Sequence, residues 1–286
     1  MKLPAFRYES PATLSEALRM LADGAGGAKA LAGGQSLLPV MAFRLAAPAV
    51  IVDLRRVPGL DRIDVARDGV RLGAKVRWRD IERDARLRDA HPLLAAAVGH
   101  IAHYQVRNRG TVGGSLAHAD PAAEMPGIAV ACDAELLIEG AGAGRRAVRA
   151  RDFFTGPLST VLAHDELIVE VRLPPWPPGR RWAFEEFALR RGDFALAAVA
   201  AFYDLDAAGR AVGAHIGVIG ACSRPHRLAR AEASLDGRAV DEAAIRAAAR
   251  AAAGELDPPN DLHAGADYRR ALACTLLERA LRRAAA

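Results

Sequence analysis

Residues 174–179 read Pro-Pro-Trp-Pro-Pro-Gly. Proline locks φ near about −65° and lacks an N–H, so this segment cannot lie in a helix interior or a central strand. The chain must therefore fold as one set of elements before it and another after it. At 286 residues the chain also reaches the size, about 250–300 residues, at which a single hydrophobic core stops growing. We expect a first domain over 1–175, built from subdomains of about 1–57 and 58–175, and a second domain over 180–286. The fold class that follows is α+β.

Hydrophobic periodicity supplies the elements. A helix is expected over 13–23, where Leu14, Ala17, Leu18 and Leu21 recur at helical spacing, Thr13 and Glu16 form a capping box and Gly24 ends the run. Strands are expected over 29–32 and 49–54, with a glycine loop and a helix-like segment between them. A second block reads as a strand over 70–73, a helix over 78–87, a helix over 93–104 and strands over 135–139 and 166–173. Beyond the prolines come strands over 182–189, 196–205 and 214–219, then helices over 241–253 and 268–283, forming a small antiparallel sheet with helices. The arginines of these last helices read as solvated faces.

Composition removes several classes of function. Thirty-nine basic and 34 acidic residues leave a net charge of +5, with the arginines scattered. A nucleic-acid reader concentrates its positive charge, so no nucleic-acid partner is expected. Cys132, Cys222 and Cys274 are far apart and include no C-x-x-C pair. They are too few for the usual four-thiolate iron–sulfur cluster and read as reduced, mostly buried thiols. Among eight histidines, His100 and His103 have no third ligand nearby, so no metal site is expected, and His118 reads as a surface or supporting residue. The N-terminal segment lacks the pattern of a signal peptide and no apolar run is long enough to span a bilayer. A cytoplasmic protein is expected. There is also no nucleophile elbow, no H-E-x-x-H and no catalytic-cysteine context, so no catalytic side chain is assigned.

Two glycine pairs carry the functional signal: Ala32-Gly33-Gly34-Gln35-Ser36 and Thr111-Val112-Gly113-Gly114-Ser115. Adjacent glycines allow positive φ and close approach, so successive N–H groups can converge on an anion. Two such loops facing each other would grip a diphosphate from both sides, with Ser36, Thr111 and Ser115 adding hydroxyl donors. Each pair also suits a simple tight turn. Neither pair fits a Rossmann or P-loop pattern.

The stretches KALAGGQSLL (29–38) and VRNRGTVGGSLAHADPAAEM (106–125) resemble the two FAD-binding signatures of the medium flavoprotein subunits of molybdenum hydroxylases, the carbon monoxide dehydrogenase and xanthine dehydrogenase type. The likeness continues in DELIVEVRLP (165–174), RRGDFA (190–195) and DLHAGADYRR (261–270). It implies a two-subdomain α/β FAD-binding domain of the vanillyl-alcohol oxidase/p-cresol methylhydroxylase type followed by a C-terminal flavoprotein domain. It implies FAD contacts at Leu31, Ala32, Gly33, Gly34, Gln35, Ser36 and Leu37, and at Thr111, Gly113, Gly114 and Ser115. Asp120 and Glu124 match positions that accept hydrogen bonds from cofactor hydroxyls, and Ile168 matches an apolar contact. Ile101, Glu186 and Phe194 match positions near the cofactor in some relatives, several of which carry tyrosine where Phe194 stands.

The resemblance further implies a heterotrimer, doubled by symmetry, with a large subunit carrying molybdenum and molybdopterin and a small subunit carrying two iron–sulfur clusters. FAD here would relay electrons to a quinone or NAD. The scarcity of cysteine agrees, since the clusters must sit in a partner. Two further readings are a stand-alone FAD-dependent oxidase or reductase of the same flavin fold, and a non-enzymatic module whose glycine pairs only make turns.

Overall fold

In the computed structural model, which describes residues 2–286, three larger sheets stand in succession along the chain, beside a two-stranded ribbon of Phe154–Gly156 and Ser159–Thr160. The first is a parallel sheet in which Val50–Asp53 lies between Arg7–Glu9 and Ala28–Leu31. The Leu14–Asp23 helix links its outer strands. Its start is the one read from sequence: Thr13 caps Glu16 N–H and the Glu16 carboxylate reaches back to Thr13.

The second sheet runs in the order Ile63–Ala66, Gly69–Gly73, Glu166–Leu173, Glu135–Gly140, Gly144–Arg149, and every pair is antiparallel. This subdomain is therefore α+β in build rather than α/β. A bulge at Val169 in the Glu166–Leu173 strand switches which residues face which side. Leu167 and Val169 enter the core of the first sheet, and Ile168, Val171 and Leu173 enter the central core.

The helices expected over 78–87 and 93–104 are each broken. Asp84 is extended, ending Trp78–Arg83 and capping Ala85–Ala90 through its carboxylate. Pro92–Val98 ends at Gly99, and a turn with Ala102 at φ 44° precedes the short Tyr104–Arg107 helix. Both breaks are held by polar groups, since Arg107 donates to the Ile101 and Ala102 carbonyls. Helices at Leu37–Ala42, Val112–His118, Glu124–Ala131 and Ala229–Leu235 complete the set that positions the site and its cover.

The third sheet is antiparallel: Arg181–Phe187, Ala197–Leu205, Ala211–Ile219 and the short His226–Arg227. Its strand Ala197–Leu205 is buried at its first seven positions. Ala198, Ala200 and Phe202 face the central core, while Ala197, Val199, Ala201 and Tyr203 face the C-terminal helices. That is the period-two alternation of a strand with both sides covered. The C-terminal helices are Glu242–Ala253 and Ala266–Ala285. Not all their arginines are solvated: Arg269 is buried and donates to the Leu196 and Gly220 carbonyls and to Asp261. Its fork satisfies carbonyls where the neighbouring strands end, which a helical-wheel reading cannot see.

The proline segment lies between strands and is fastened on both sides. Trp176 packs on His91 and Phe202 with ring centroids 4.7 and 5.1 Å away. Arg180 covers both Trp176 and Phe202 and is paired with Asp204 at 2.8 Å. Among the described residues no helix is long and apolar enough to cross a membrane.

Candidate functional site

The first glycine pair sits where the Ala28–Leu31 strand passes into the Leu37–Ala42 helix. Gly34 has φ +75°, a conformation open to glycine at little cost. Gly33 lies directly against the second signature, for a Cβ there would overlap the Arg109 carbonyl. Among the described residues the backbone N–H groups of Gly33, Gly34, Gln35 and Ser36 have no acceptor within the protein. The Ser36 hydroxyl does not cap the helix that follows, and Gln35 folds back to donate to the Gly33 carbonyl.

The second pair is not a loop. Thr111 is the cap of the Val112–His118 helix, its hydroxyl accepting from Gly114 N–H at 3.2 Å. Val112 N–H donates to the Val76 carbonyl, Gly113 N–H to Ala74 and Ser115 N–H to Thr111. These amides are spent inside the protein, so the expectation of two open loops facing each other gives way to one open loop backed by a capped helix. Gly113 is small because Ala74 is close: a Cβ there would come within 2.5 Å of the Ala74 Cβ.

Leu31, Ala32, Gly33, Gly34 and Thr111 line one cleft of about 590 Å³. Its walls also carry Arg55, Lys75, Arg77, Arg79 and Arg109 against Asp53, Asp61 and Asp80. Asp53 is buried, accepting from the Tyr8 hydroxyl and Arg55 at 2.7 Å each. These bonds hold its carboxyl below the usual range despite the opposing effect of burial. Lys75 donates to the Val57 carbonyl at 2.6 Å, and burial lowers its affinity for its proton. Arg77 and Arg109 have no carboxylate partner among the described residues. A net positive cleft beside free N–H groups suits a diphosphate.

Sequence reasoning had passed over these basic residues. The signal was present in their clustering: Lys75, Arg77 and Arg79 fall within one short stretch, Lys75 in a turn, Arg77 extended as the cap of the Trp78–Arg83 helix and Arg79 in its first turn. Leu38, also in the cleft wall, follows Leu37 by one position.

The seven-residue Val112–His118 helix, rising about 10 Å, leads from the cleft to a second group of expected residues. Ala119 at φ 53° ends it, and Asp120 forms a turn by accepting from Ala122 N–H. Glu124 opens the next helix and is 6% exposed. Burial first, then the charges of Glu186 and Asp120, push its carboxyl up to about 8. Glu186 lies on the Arg181–Phe187 strand with Oε1 3.6 Å from His100 Nδ1. Ile101 and Ile168 are both in the central core rather than on the cleft wall. Phe194 is 63% exposed, just past a turn at Gly192 where an added Cβ would overlap the His103 ring. Gly113, Gly114 and Ser115 stand behind Thr111, outside the cleft wall.

Residues 4–176 match the family described as the FAD binding domain in molybdopterin dehydrogenase, and residues 182–284 match the CO dehydrogenase flavoprotein C-terminal domain. The chain is 43% identical to the nicotine 6-hydroxylase medium subunit of Paenarthrobacter nicotinovorans, over 98% of each. It is 38% identical to the carbon monoxide dehydrogenase medium chain of Hydrogenophaga pseudoflava, covering 97% of this chain and 96% of that one. A carbon monoxide dehydrogenase structure from Hydrogenophaga pseudoflava superposes with a TM-score of 0.96 over 99% of this chain and 98% of that one, at 38% identity. Quinoline 2-oxidoreductase from Pseudomonas putida 86 superposes with a TM-score of 0.94 at 41% identity, over 100% and 98%.

Proposed function

This chain belongs to the FAD-binding medium subunits of the molybdenum hydroxylases, and from that premise we propose how its residues hold the cofactor and where the electrons go. The observation that carries the proposal is the open loop at residues 33–36, whose partnerless N–H groups adjoin a cleft rich in arginine. The loop and the cleft fit the FAD diphosphate: the N–H groups of Gly33, Gly34, Gln35 and Ser36 would donate to its oxygens, and Arg77 and Arg109 would balance its charge. Leu31, Ala32 and Leu37 shape the loop, and Thr111, Gly113, Gly114 and Ser115 hold the wall behind it. Asp120, Glu124, Ile101, Ile168, Glu186 and Phe194 stand toward the rest of the cofactor.

Bound FAD supplies the redox chemistry, accepting single electrons from iron–sulfur clusters and passing them on to an acceptor. The polypeptide binds and orients it. In this reading residues 1–175 form an FAD-binding domain of the vanillyl-alcohol oxidase/p-cresol methylhydroxylase type, with subdomains 1–57 and 58–175, and residues 180–286 a flavoprotein cover. The large molybdopterin subunit and small iron–sulfur subunit complete a cytoplasmic heterotrimer, dimerised, whose acceptor is a quinone or NAD.

The test is purification of the chain alone and with its two co-expressed partners. The chain should show the absorbance of oxidised flavin, and the assembled enzyme should bleach that absorbance on adding substrate. A chain that takes up no FAD overturns the cleft assignment. Substrate turnover by the isolated chain overturns the relay.

A further inference from the structure

The first sheet is joined to the second through a turn that follows Val57 and runs Pro58-Gly59-Leu60. Pro58 has no N–H to donate, and Gly59 stands at φ +81° with nothing within 4 Å of where a Cβ would sit. The outer side of the turn is therefore open. One residue grips it from within, on both sides. The Lys75 N–H donates to the Leu60 carbonyl at 2.6 Å, and the Lys75 ammonium donates to the Val57 and Arg55 carbonyls at 2.6 and 3.2 Å. Val57 is wholly buried, so without that ammonium its carbonyl would be left buried and unsatisfied, which costs more than an ordinary hydrogen bond contributes.

The segment that carries Lys75 is bound just as closely on its other side. Gly113 N–H donates to the Ala74 carbonyl, Val112 N–H to Val76, and Trp78 N–H to the Gly110 carbonyl. Gly73 lies against the junction, since a Cβ there would come within 2.3 Å of the Leu60 carbonyl. Residues 73–78 thus form a crosspiece between the junction turn and the second glycine signature.

The first signature is reached from the same turn. The open loop at 33–36 follows the Ala28–Leu31 strand, which pairs in parallel with Val50–Asp53. That strand runs directly into the Leu54–Arg56 turn, where Lys75 holds the Arg55 carbonyl. The ammonium therefore closes a path of bonded segments from one wall of the cleft to the other. Two of its three protons are spent on backbone, a task that suits a compact ammonium with rotatable donors.

We propose that Lys75 is a positioning residue and not a ligand of the diphosphate: it pins the turn joining the two subdomains and so sets the gap between the 33–36 loop and the wall of Arg77, Arg109 and Thr111. The pin rests on the hydrogen bonds alone. Its consequence for the cofactor rests on the FAD reading.

The first test needs no flavin. It is amide hydrogen exchange of the full chain, wild type against Lys75→Met, which keeps the unbranched stem and removes the donors. Exchange should speed up about tenfold at the junction amides of Val57, Gly73 and Lys75, while the amides of the Ala197–Leu205 strand keep the wild-type rate. Equal rates in the two proteins, or one uniform rise over the whole chain, overturn the proposal. If Lys75→Met does not fold, wild type labelled with nitrogen-15 lysine decides. The other lysines, Lys2 and Lys29, are exposed, so a single ammonium signal protected from exchange with water is expected, and none overturns the pin.

The second test separates a pin from a phosphate ligand by titrating FAD at several salt concentrations and following flavin fluorescence. Lys75→Met should weaken binding about tenfold yet keep the wild-type dependence on salt, whereas Arg77→Met should flatten it, because a lost ionic contact leaves less for salt to screen. Flattening in Lys75→Met equal to that in Arg77→Met makes Lys75 a ligand and overturns the proposal, as does binding of wild-type strength. A wild-type chain that takes up no FAD overturns the cofactor reading instead, and the exchange test then decides the pin by itself.

Discussion

The two glycine pairs look alike in sequence and do opposite things in the structure. Gly33-Gly34 is an open turn, with Gly34 at positive φ and its amide donors free. Gly113-Gly114 is the first turn of a capped helix, with its donors already bonded to Thr111 and Ala74. In the first pair glycine gives conformation and access. In the second it gives closeness, letting the Val112–His118 helix pack on the segment that carries Lys75 and Arg77. The same dipeptide thus leaves amide donors free in one place and docks a helix in the other.

Substitutions should separate these roles. The largest effect is expected from Gly33→Val, because its side chain would overlap backbone at Arg109 that cannot rotate away. Loss of about 3 kcal/mol or more in urea unfolding should accompany loss of flavin absorbance. Next, Gly113→Ala would press its methyl to 2.5 Å from the Ala74 Cβ, and should cost about 1–3 kcal/mol by overpacking. Its flavin stoichiometry, read by absorbance once folded, should stay at the wild-type value; flavin lost without lost stability would break the comparison. Thr111→Ala removes the helix cap and should cost about 1 kcal/mol, with Thr111→Ser restoring it. The smallest effect is expected from Gly114→Ala, whose methyl would crowd the Thr111 hydroxyl at 2.7 Å. The gain in helix propensity offsets that crowding, leaving a change within about 0.5 kcal/mol.

What could be read from the residues depended on how local each cause was. The Thr13–Glu16 capping box sits within four residues of chain and appears in the structure as expected. So do the strands Val50–Asp53 and Ala197–Leu205, whose apolar runs end near turn residues. The breaks at Asp84 and Ala102 were hidden, because apolar spacing continues across them and the polar bonds that hold them come from side chains whose choice is tertiary. Arg269 was misjudged for the same reason: its partners Leu196 and Gly220 lie far away in sequence. At the cleft, the first glycine signature and Thr111 of the second fall on one wall, while the helix after Thr111 and the arginines around the cleft emerge only when distant segments meet.

The Ala197–Leu205 strand belongs to two cores at once, with alternate residues facing each. It acts as a party wall. A larger residue at Ala198 or Ala200 intrudes on the central core, and one at Ala197 or Ala201 intrudes on the C-terminal helices. The pleat transmits a displacement from one face to the other. A chimera that takes its C-terminal half from a relative therefore has to bring the residues that meet Ala198, Ala200 and Phe202 along with it. In this protein the seam for recombination is not the proline segment but whatever set of contacts keeps both sides of that wall intact.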